Sequence, residues 1–110
     1  MDSAFLEFLG ENPHTKLLEF LITGREFDYT LTDLAENAGI GWTTLHRIFP
    51  IFEKNLIVIK TREVGRAKLY KLNQKNTEVK KLILLYDSIL KTQLERLEEK
   101  ETQKINVRAR

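Results

Sequence analysis

The spacing of apolar residues along the chain predicts five helices and one β-hairpin. Apolar side chains recur at three- or four-residue intervals, as one face of a helix requires, in residues 2–9, 13–23, 31–38, about 42–54 and about 77–104. Residues 56–62 and 67–72 are instead rich in the residue types that strands favour, and the segment between them contains Gly65. We expect a hairpin there with Gly65 at positive φ. The pattern predicts a mainly α fold with a small β-hairpin.

Capping residues support the predicted helix boundaries. Asn12 precedes Pro13, a combination in which Asn accepts hydrogen bonds from unpaired helix amides and proline lacks the amide hydrogen that would otherwise be unpaired. Thr30 and Asp33 have the spacing of a capping box, with Asp in place of Glu. Asn55 stands at the end of the fourth helix, and we expect it to adopt the left-handed conformation that often terminates a helix.

Pro50 lies inside the fourth predicted helix. A proline at such a position removes one backbone hydrogen bond and clashes with the carbonyl four residues earlier, which costs about 3 kcal/mol or more. Two outcomes are compatible with the sequence: the helix bends near His46, or it ends early and a second turn begins after Phe49. In both cases the first two turns, as far as Arg47, stay available for contacts.

The third and fourth helices are separated by a tight turn and followed by the hairpin, which is the order of a helix-turn-helix with a two-stranded wing. Since Leu45, Phe49 and Phe52 mark the inward face of the fourth helix, the opposite face is exposed. A recognition helix contacts the DNA major groove with its N-terminal part. The candidate DNA-binding residues on this helix are therefore Trp42, Thr43, Thr44, His46 and Arg47. For Trp42, packing against the preceding helix is the alternative.

Charge is distributed unevenly, although the net charge is only +2. Residues 1–50 carry three Lys or Arg against eight Asp or Glu, whereas residues 51–72 carry six against two. A basic hairpin is what a partner with phosphates would attract, and a solvated strand pair with ordinary lysines is the alternative. We expect Arg62, Arg66 and Lys68 to lie in or near the minor groove.

The last predicted helix is longer than one small domain needs. Residues 77–104 span roughly 40 Å at ~1.5 Å per residue, and apolar positions along them alternate at the four- and three-residue spacing of a coiled coil. We interpret this segment as a dimerisation helix that pairs with a second copy of the chain. Alternatively, it folds back over its own domain. The candidate interface residues are Tyr86, Ile89, Leu90, Gln93, Leu94 and Leu97.

This interpretation divides the chain into three parts. Residues 1–76 form a winged helix-turn-helix domain with an N-terminal helix, and residues 77–104 form the C-terminal dimerisation helix. Residues 105–110 are expected to form a flexible tail, as chain ends often do.

Several classes of function have no support in the sequence. No cysteine is present, which excludes disulfides and zinc–thiolate sites. His14 and His46 fall on different predicted helices, and no catalytic triad, glycine-rich phosphate loop or ligand cluster is evident, so we expect no enzyme activity, cofactor or metal. No apolar run approaches the ~18 residues of a membrane span. The N-terminus has no signal-peptide pattern, and we expect a cytoplasmic protein that does not bind membranes.

Five strings together resemble the archaeal winged-helix transcriptional regulators, which are related to the MarR and ArsR-like groups. The strings are Asn12-Pro13, residues 31–40 (LTDLAENAGI), 43–47 (TTLHR), 52–57 (FEKNLI) and, most specific, 65–73 (GRAKLYKLN). The resemblance covers residues from about 10 to 97 and implies a homodimer that binds operator-like DNA. The sequence departs from the common pattern at Pro50 and at Asn55, where Gly is usual. It also lacks the cysteines and clustered histidines of metal-sensing ArsR members.

We therefore expect a dimeric, sequence-specific regulator that binds double-stranded DNA. One alternative is a winged helix used for protein–protein contacts, in which the basic wing is incidental. Another is a sequence-tolerant chromatin or plasmid-partition protein that binds random duplexes equally well. Salt dependence separates the first alternative from DNA binding, because phosphate contacts release counterions. No residue indicates which small-molecule effector, if any, such a regulator would sense.

Overall fold

A computed structural model of the protein describes the backbone of residues 3–108 and the side chains of residues 3–102. This part of the chain is mainly helical and contains one two-stranded antiparallel sheet, as the sequence predicts. The elements in chain order are α1 (Ala4–Leu9), α2 (Pro13–Thr23), α3 (Leu31–Ala38), α4 (Trp42–Lys54), β1 (Val58–Val64), β2 (Ala67–Leu72) and α5 (Thr77–Arg108).

The predicted N-cap at Asn12 and the predicted capping box at Thr30 are both present, and Asn12 forms a capping box as well. The Asn12 side chain accepts a hydrogen bond from the Thr15 amide, and the Thr15 hydroxyl accepts one from the Asn12 amide, each at 3.0 Å. The same reciprocal pair joins Thr30 and Asp33, each at 3.1 Å, at the start of α3. Gly39 then ends α3 in the left-handed conformation, with φ of 69°. Side-chain hydrogen bonds thus fix where the first helix of the motif begins, and the backbone conformation of a glycine fixes where it ends.

The prediction for Asn55 is wrong, because Leu56 takes the left-handed position. Asn55 has φ of −89° and its side-chain amide donates to the Ile51 carbonyl at 2.9 Å, whereas Leu56 has φ of 54°. The Leu56 carbonyl accepts hydrogen bonds from the side-chain amides of Asn73 (2.9 Å) and Asn76 (3.0 Å). Two side chains from the segment after β2 therefore hold the backbone where α4 gives way to the hairpin.

Helix α4 continues through Pro50 to Lys54. The alternative in which a separate turn begins after Phe49 is therefore wrong. The proline ring is exposed, and backbone pairing continues beyond it, since the Asn55 amide donates to the Ile51 carbonyl at 3.1 Å. The outer face of α4 is thus continuous over the whole helix.

One core takes side chains from all five helices and both strands. Burying each large apolar side chain contributes about 1.5–3 kcal/mol. The largest fully buried side chains are those of Phe5, Leu17, Leu21, Ile22, Leu34, Leu45, Phe52 and Leu72, and Val58 and Val79 are also buried. Because α3 and α4 both supply core residues, the turn between them is held by packing on each side.

The hairpin β1–β2 is the wing predicted from the sequence. Val64 pairs with Ala67, so the loop is Gly65-Arg66, and Gly65 has the predicted positive φ of 62°. The register shifts between Lys60 and Arg62, which leaves Thr61 as the extra residue of a β-bulge. Tyr29, ahead of α3, forms an isolated antiparallel bridge with Tyr70 of β2 through backbone bonds of 2.8 and 2.7 Å.

Asp28 joins the wing to the segment before α3. Its carboxylate accepts hydrogen bonds from Arg62 Nε at 2.9 Å, Arg62 Nη2 at 3.3 Å and the Thr61 hydroxyl at 2.7 Å. These donors, Arg62 first, hold the pKa of the Asp28 carboxyl below its usual value of 3.8. The Asp28 side chain is 21% exposed and that of Arg62 is 61% exposed, so the pair lies at the domain surface.

Helix α5 packs its first half on the domain and then extends away from it. Val79 is buried, and Leu82, Ile83, Tyr86 and Ile89 pack partly buried against the core. The helix passes the predicted end at residue 104 and reaches Arg108, because no Gly or Pro interrupts this stretch. Residues 105–108, predicted as tail, therefore continue the helix, and residues 109–110 of that predicted tail lie outside the described residues.

Replacing the N-cap of α3 should destabilise the domain. Thr30→Ala removes the acceptor for the Asp33 amide and should lower the free energy of unfolding by about 1 kcal/mol. Urea denaturation measures this change. Thr32→Ala is the control, since Thr32 is exposed in the first turn of the same helix and its loss should cost no more than about 0.5 kcal/mol. Equal effects of the two substitutions would contradict the capping role.

The Asp28 link should stabilise the fold at neutral pH and lose this contribution in acid. Because the pKa of Asp28 is lowered in the folded protein, the contribution is complete above the unfolded value of about 3.8 and is lost as the pH falls through the folded value. The wild-type chain should therefore exceed Asp28→Asn in free energy of unfolding at neutral pH. This difference should shrink on acidification, and a pH-independent difference would refute the expectation.

Candidate nucleic-acid interface

The outer face of α4 carries a row of exposed residues opposite the core. Thr43, Arg47, Pro50 and Lys54 recur at spacings of four, three and four, so they share one side of the helix, and all four are exposed. Leu45, Phe49 and Phe52 are buried on the other side, as the sequence predicts. Lys54 is not among the residues predicted to bind DNA, although its spacing from Arg47 could have indicated it.

Trp42 and His46 form a second, adjacent row on α4. Their rings meet edge to face with centroids 4.2 Å apart and planes at 73°. Trp42 is 51% exposed, so it lies at the surface and not in the core. Thr44, on the remaining side of the helix, is half-buried.

A cleft of about 250 Å³ brings the start of α3, the start of α4 and the wing together. It places Trp42 of α4 beside Arg66 and Lys68 of the wing, which lie more than twenty residues further along the chain. Two threonines at the start of α3, Thr30 and Thr32, add hydroxyl groups to its lining. The helix-turn-helix and the wing therefore present one shared surface.

The cations of this surface differ in whether the protein already pairs them. Lys60 donates to Glu63 at 2.9 Å, which raises the pKa of the Lys60 ammonium and lowers the pKa of the Glu63 carboxyl. Arg62 is paired with Asp28. Among the described side chains, Arg47, Arg66 and Lys68 form no ion pair. Those three cations are therefore available to an external anion.

Of the six residues predicted for the dimer interface, Gln93 is half-buried, and the other five fall into two groups. Tyr86 and Ile89 pack on their own domain, where the Tyr86 ring lies 5.3 Å from that of Phe5 and its hydroxyl lies 3.0 Å from that of Thr23. Leu90, Leu94 and Leu97 are 37%, 60% and 52% exposed. The first half of α5 thus follows the fold-back alternative, and the second half leaves an apolar row on the surface.

A groove of about 410 Å³ lies between α1 and α5. Phe8 of α1 and Leu85, Ile89 and Gln93 of α5 line it. Phe8 is 68% exposed, which is unusual for so large an apolar side chain. The sequence did not separate Phe8 from the buried Phe5, because both lie in the same short apolar run.

A metal site and a membrane span are two further possibilities for the part of the chain that the structure describes. There, no group of three or more His, Cys, Asp or Glu side chains is placed to hold a metal ion. Within the same residues, none of the helices has the length and apolar character needed to cross a membrane.

The chain matches no protein-family model and no curated protein, whereas several solved structures resemble it. MepR, a transcription regulator of the Staphylococcus aureus multidrug efflux pump MepA, aligns with a TM-score of 0.61 and 20% identity over 93% of this chain and 78% of MepR. A MepR variant bound to an oligodeoxyribonucleotide gives a TM-score of 0.65 and 23% identity over 94% of this chain and 81% of the variant.

A third similar structure is the homodimeric winged helix-turn-helix DNA-binding domain Mb0332 from Mycobacterium bovis, a possible ArsR-family regulator. It aligns with a TM-score of 0.56 and 19% identity over 84% of this chain and 81% of that domain. At such low identities the likeness concerns the fold. The chain has the winged helix-turn-helix fold, with a long C-terminal helix.

Proposed function

We propose that the protein is a homodimeric, sequence-specific transcriptional regulator that binds double-stranded DNA. In this proposal α4 enters the major groove, and the basic wing, residues 60–68, lies near the minor groove. Residues 1–76 act as the DNA-binding domain and residues 77–104 as the dimerisation helix. The relation to the MarR and ArsR-like regulators and a site of action in the cytoplasm belong to the same proposal.

The observation that carries the proposal is the shared surface of α4 and the wing. Arg66 and Lys68 line the cleft between the wing and the start of α4, and Arg47 is exposed on the outer face of α4. None of these three cations forms an ion pair among the described side chains, whereas the first half of the sequence is acidic. Anions with a repeating charge, such as DNA phosphates, fit such an arrangement. The similarity to a MepR variant bound to an oligodeoxyribonucleotide supports the same function.

The two parts of the surface have different chemical tasks. The guanidinium of Arg47 lies on the exposed side of α4, where it is suited to bidentate hydrogen bonding with a guanine edge. Thr43, one turn earlier, is suited to a phosphate or a thymine methyl group. Arg66 and Lys68 on the wing are suited to the backbone phosphates. Base contacts then specify the site, and phosphate contacts supply most of the salt-dependent affinity.

Dimerisation is proposed from the apolar surface of α5 and α1. Leu90, Leu94 and Leu97 continue the stripe of α5 beyond Ile89, the last partly buried residue that packs on the core. Phe8 adds apolar area from α1 in the groove that it shares with Leu85 and Ile89. A second copy of the chain would cover this surface with the same surface of its own. A dimer would also present two copies of α4 to two half-sites about 34 Å apart.

Arg47→Ala should relax base specificity, and Arg66→Ala should not. Loss of a bidentate base contact costs about 1–3 kcal/mol and weakens discrimination at one position of the selected site. Loss of a phosphate contact instead weakens binding to all sequences and reduces the slope of log K against log salt by about 0.9. Selection from a random duplex pool, followed by binding titrations at several salt concentrations, measures both.

Lys91→Ala is the control for these two variants, because Lys91 is an exposed cation on α5, outside both α4 and the wing. It should bind as the wild type does. Unchanged specific affinity of Arg47→Ala would contradict the assignment of α4. Salt-insensitive or absent binding would favour a protein-interaction module, and equal affinity for random duplexes would favour a sequence-tolerant DNA-binding protein.

Charges placed in the apolar row of α5 should separate the dimer. Leu90→Lys combined with Leu94→Lys places two ammonium groups in each half of the proposed interface, where burial without a partner is unfavourable. We expect a folded monomer with unchanged helix content and weaker DNA binding. Sedimentation velocity and circular dichroism measure both properties.

Leu84→Lys is the matched control, since Leu84 is exposed on α5 but lies off the stripe that contains Leu90 and Leu97. It should leave the oligomeric state unchanged. A dimer that persists in the double variant would rule out this part of α5 as the interface.

A further inference from the structure

The outer half of the wing has no buried side chain to fix its direction. On β1 only Val58 is buried, and every residue from Ile59 to Val64 is exposed. On β2 burial begins at Leu69, so Arg66 and Lys68 lie beyond the last residue that packs on the domain. The backbone ladder holds the two strands to each other, but it does not set the angle between the hairpin and α4.

Asp28 connects the wing to the domain through hydrogen bonds, at a point where no buried side chain does so. Its carboxylate accepts from both Thr61 and Arg62, the two residues at the bulge. The next residue, Tyr29, is held to Tyr70 by two backbone hydrogen bonds, so Asp28 is itself anchored to the domain. A bulge bends a strand and increases its twist. The carboxylate therefore holds the wing at the point where the strand changes direction.

We propose that Asp28 is a positioning residue that sets the angle of the wing, with Arg62 as its partner and not as a DNA contact. A phosphate that approached Arg62 would have to displace a carboxylate already bound through two donors. Arg66 forms no ion pair among the described residues, and Lys68 has only the longer-range attraction of Glu63, which stands opposite it on the hairpin. The link thus keeps these two cations beside Trp42 at the start of α4. As far as DNA binding is concerned, this inference rests on the proposed function.

Asp28→Ala and Arg62→Gln should each weaken binding to the selected site by about tenfold, within the range for residues in one hydrogen-bond network. The double variant should be no weaker than either single variant, because both remove the same link. The salt slope should stay at the wild-type value in all three, since no phosphate contact is lost. Arg62→Lys keeps the positive charge but loses the planar guanidinium that donates to both oxygens of Asp28. It should therefore bind DNA as weakly as Arg62→Gln.

A direct phosphate contact by Arg62 would give different results. Asp28→Ala would then release Arg62 and tighten binding, Arg62→Gln would lower the salt slope by about 0.9, and Arg62→Lys would keep near-wild-type affinity. Each of these outcomes overturns the inference. Effects of Asp28→Ala and Arg62→Gln that add up in the double variant would overturn it as well.

Glu63→Ala is the matched control, because it removes one negative charge from the wing without breaking its link to the domain. Glu63 pairs only with Lys60 of the same strand among the described residues. Loss of a negative charge beside DNA should by itself leave binding equal or tighter. Asp28→Ala also removes a negative charge, so electrostatics alone would leave its DNA binding equal or tighter. Weaker binding by this variant would therefore indicate that the wing has lost its position.

A measurement without DNA keeps the inference testable if the proposed function fails. The heteronuclear NOE of the Gly65 and Ala67 amides reports the order of the wing tip on the fast timescale. These values should fall in Asp28→Ala and stay at the wild-type level in Glu63→Ala. Unchanged wing order in Asp28→Ala would overturn the inference, whereas a wild-type chain that binds no DNA would overturn only the proposed function.

Discussion

Burial of one side of α4 is the constraint on which the proposed interface depends. Leu45, Phe49 and Phe52 enter the core, and this fixes which residues of the helix face solvent. A helix rotated by a quarter turn would hide Arg47 and expose an aromatic ring. Since α3 supplies Leu34 to the same core, the two helices of the motif are oriented by one set of contacts. Recognition chemistry on the outer face is therefore a consequence of packing on the inner face.

The wing and α5 extend from this core in different ways. The outer half of the wing carries mostly polar side chains, and the charged and hydroxyl groups of Asp28, Thr61 and Arg62 link it to the domain. The second half of α5 is apolar along one stripe and leaves Leu94 and Leu97 uncovered. Charged and polar side chains on the wing favour contact with a charged, hydrated partner. The apolar stripe of α5 favours contact with a second protein surface. The two proposed partners, DNA and another copy of the chain, follow from this contrast.

Most of the fold could be predicted because its signals are local. The N-cap at Asn12, the capping box at Thr30 and the positive φ of Gly65 each involve residues within a few positions of one another. The error at Asn55 arose because Leu56 is held by Asn73 and Asn76, which lie 17 and 20 residues further on.

The part of the candidate site that lies on α4 could be predicted from the sequence, whereas contacts between distant elements could not. Exposure of Thr43, His46 and Arg47 followed from the helical period, and the structure places them on the surface as expected. The pairing of Arg62 with Asp28 could not be foreseen, since no periodicity relates a loop residue to a strand so far along the chain. Burial of Tyr86 and Ile89 against the domain likewise depends on α1, whose position the sequence leaves open.

The link between Asp28 and Arg62 has a consequence for the order of folding. It joins residues 34 positions apart, and α3 and α4 lie between them. Closing so long a loop costs entropy that is recovered only when the intervening helices have already packed. The wing should therefore dock late during folding and be among the first parts of the domain to open locally.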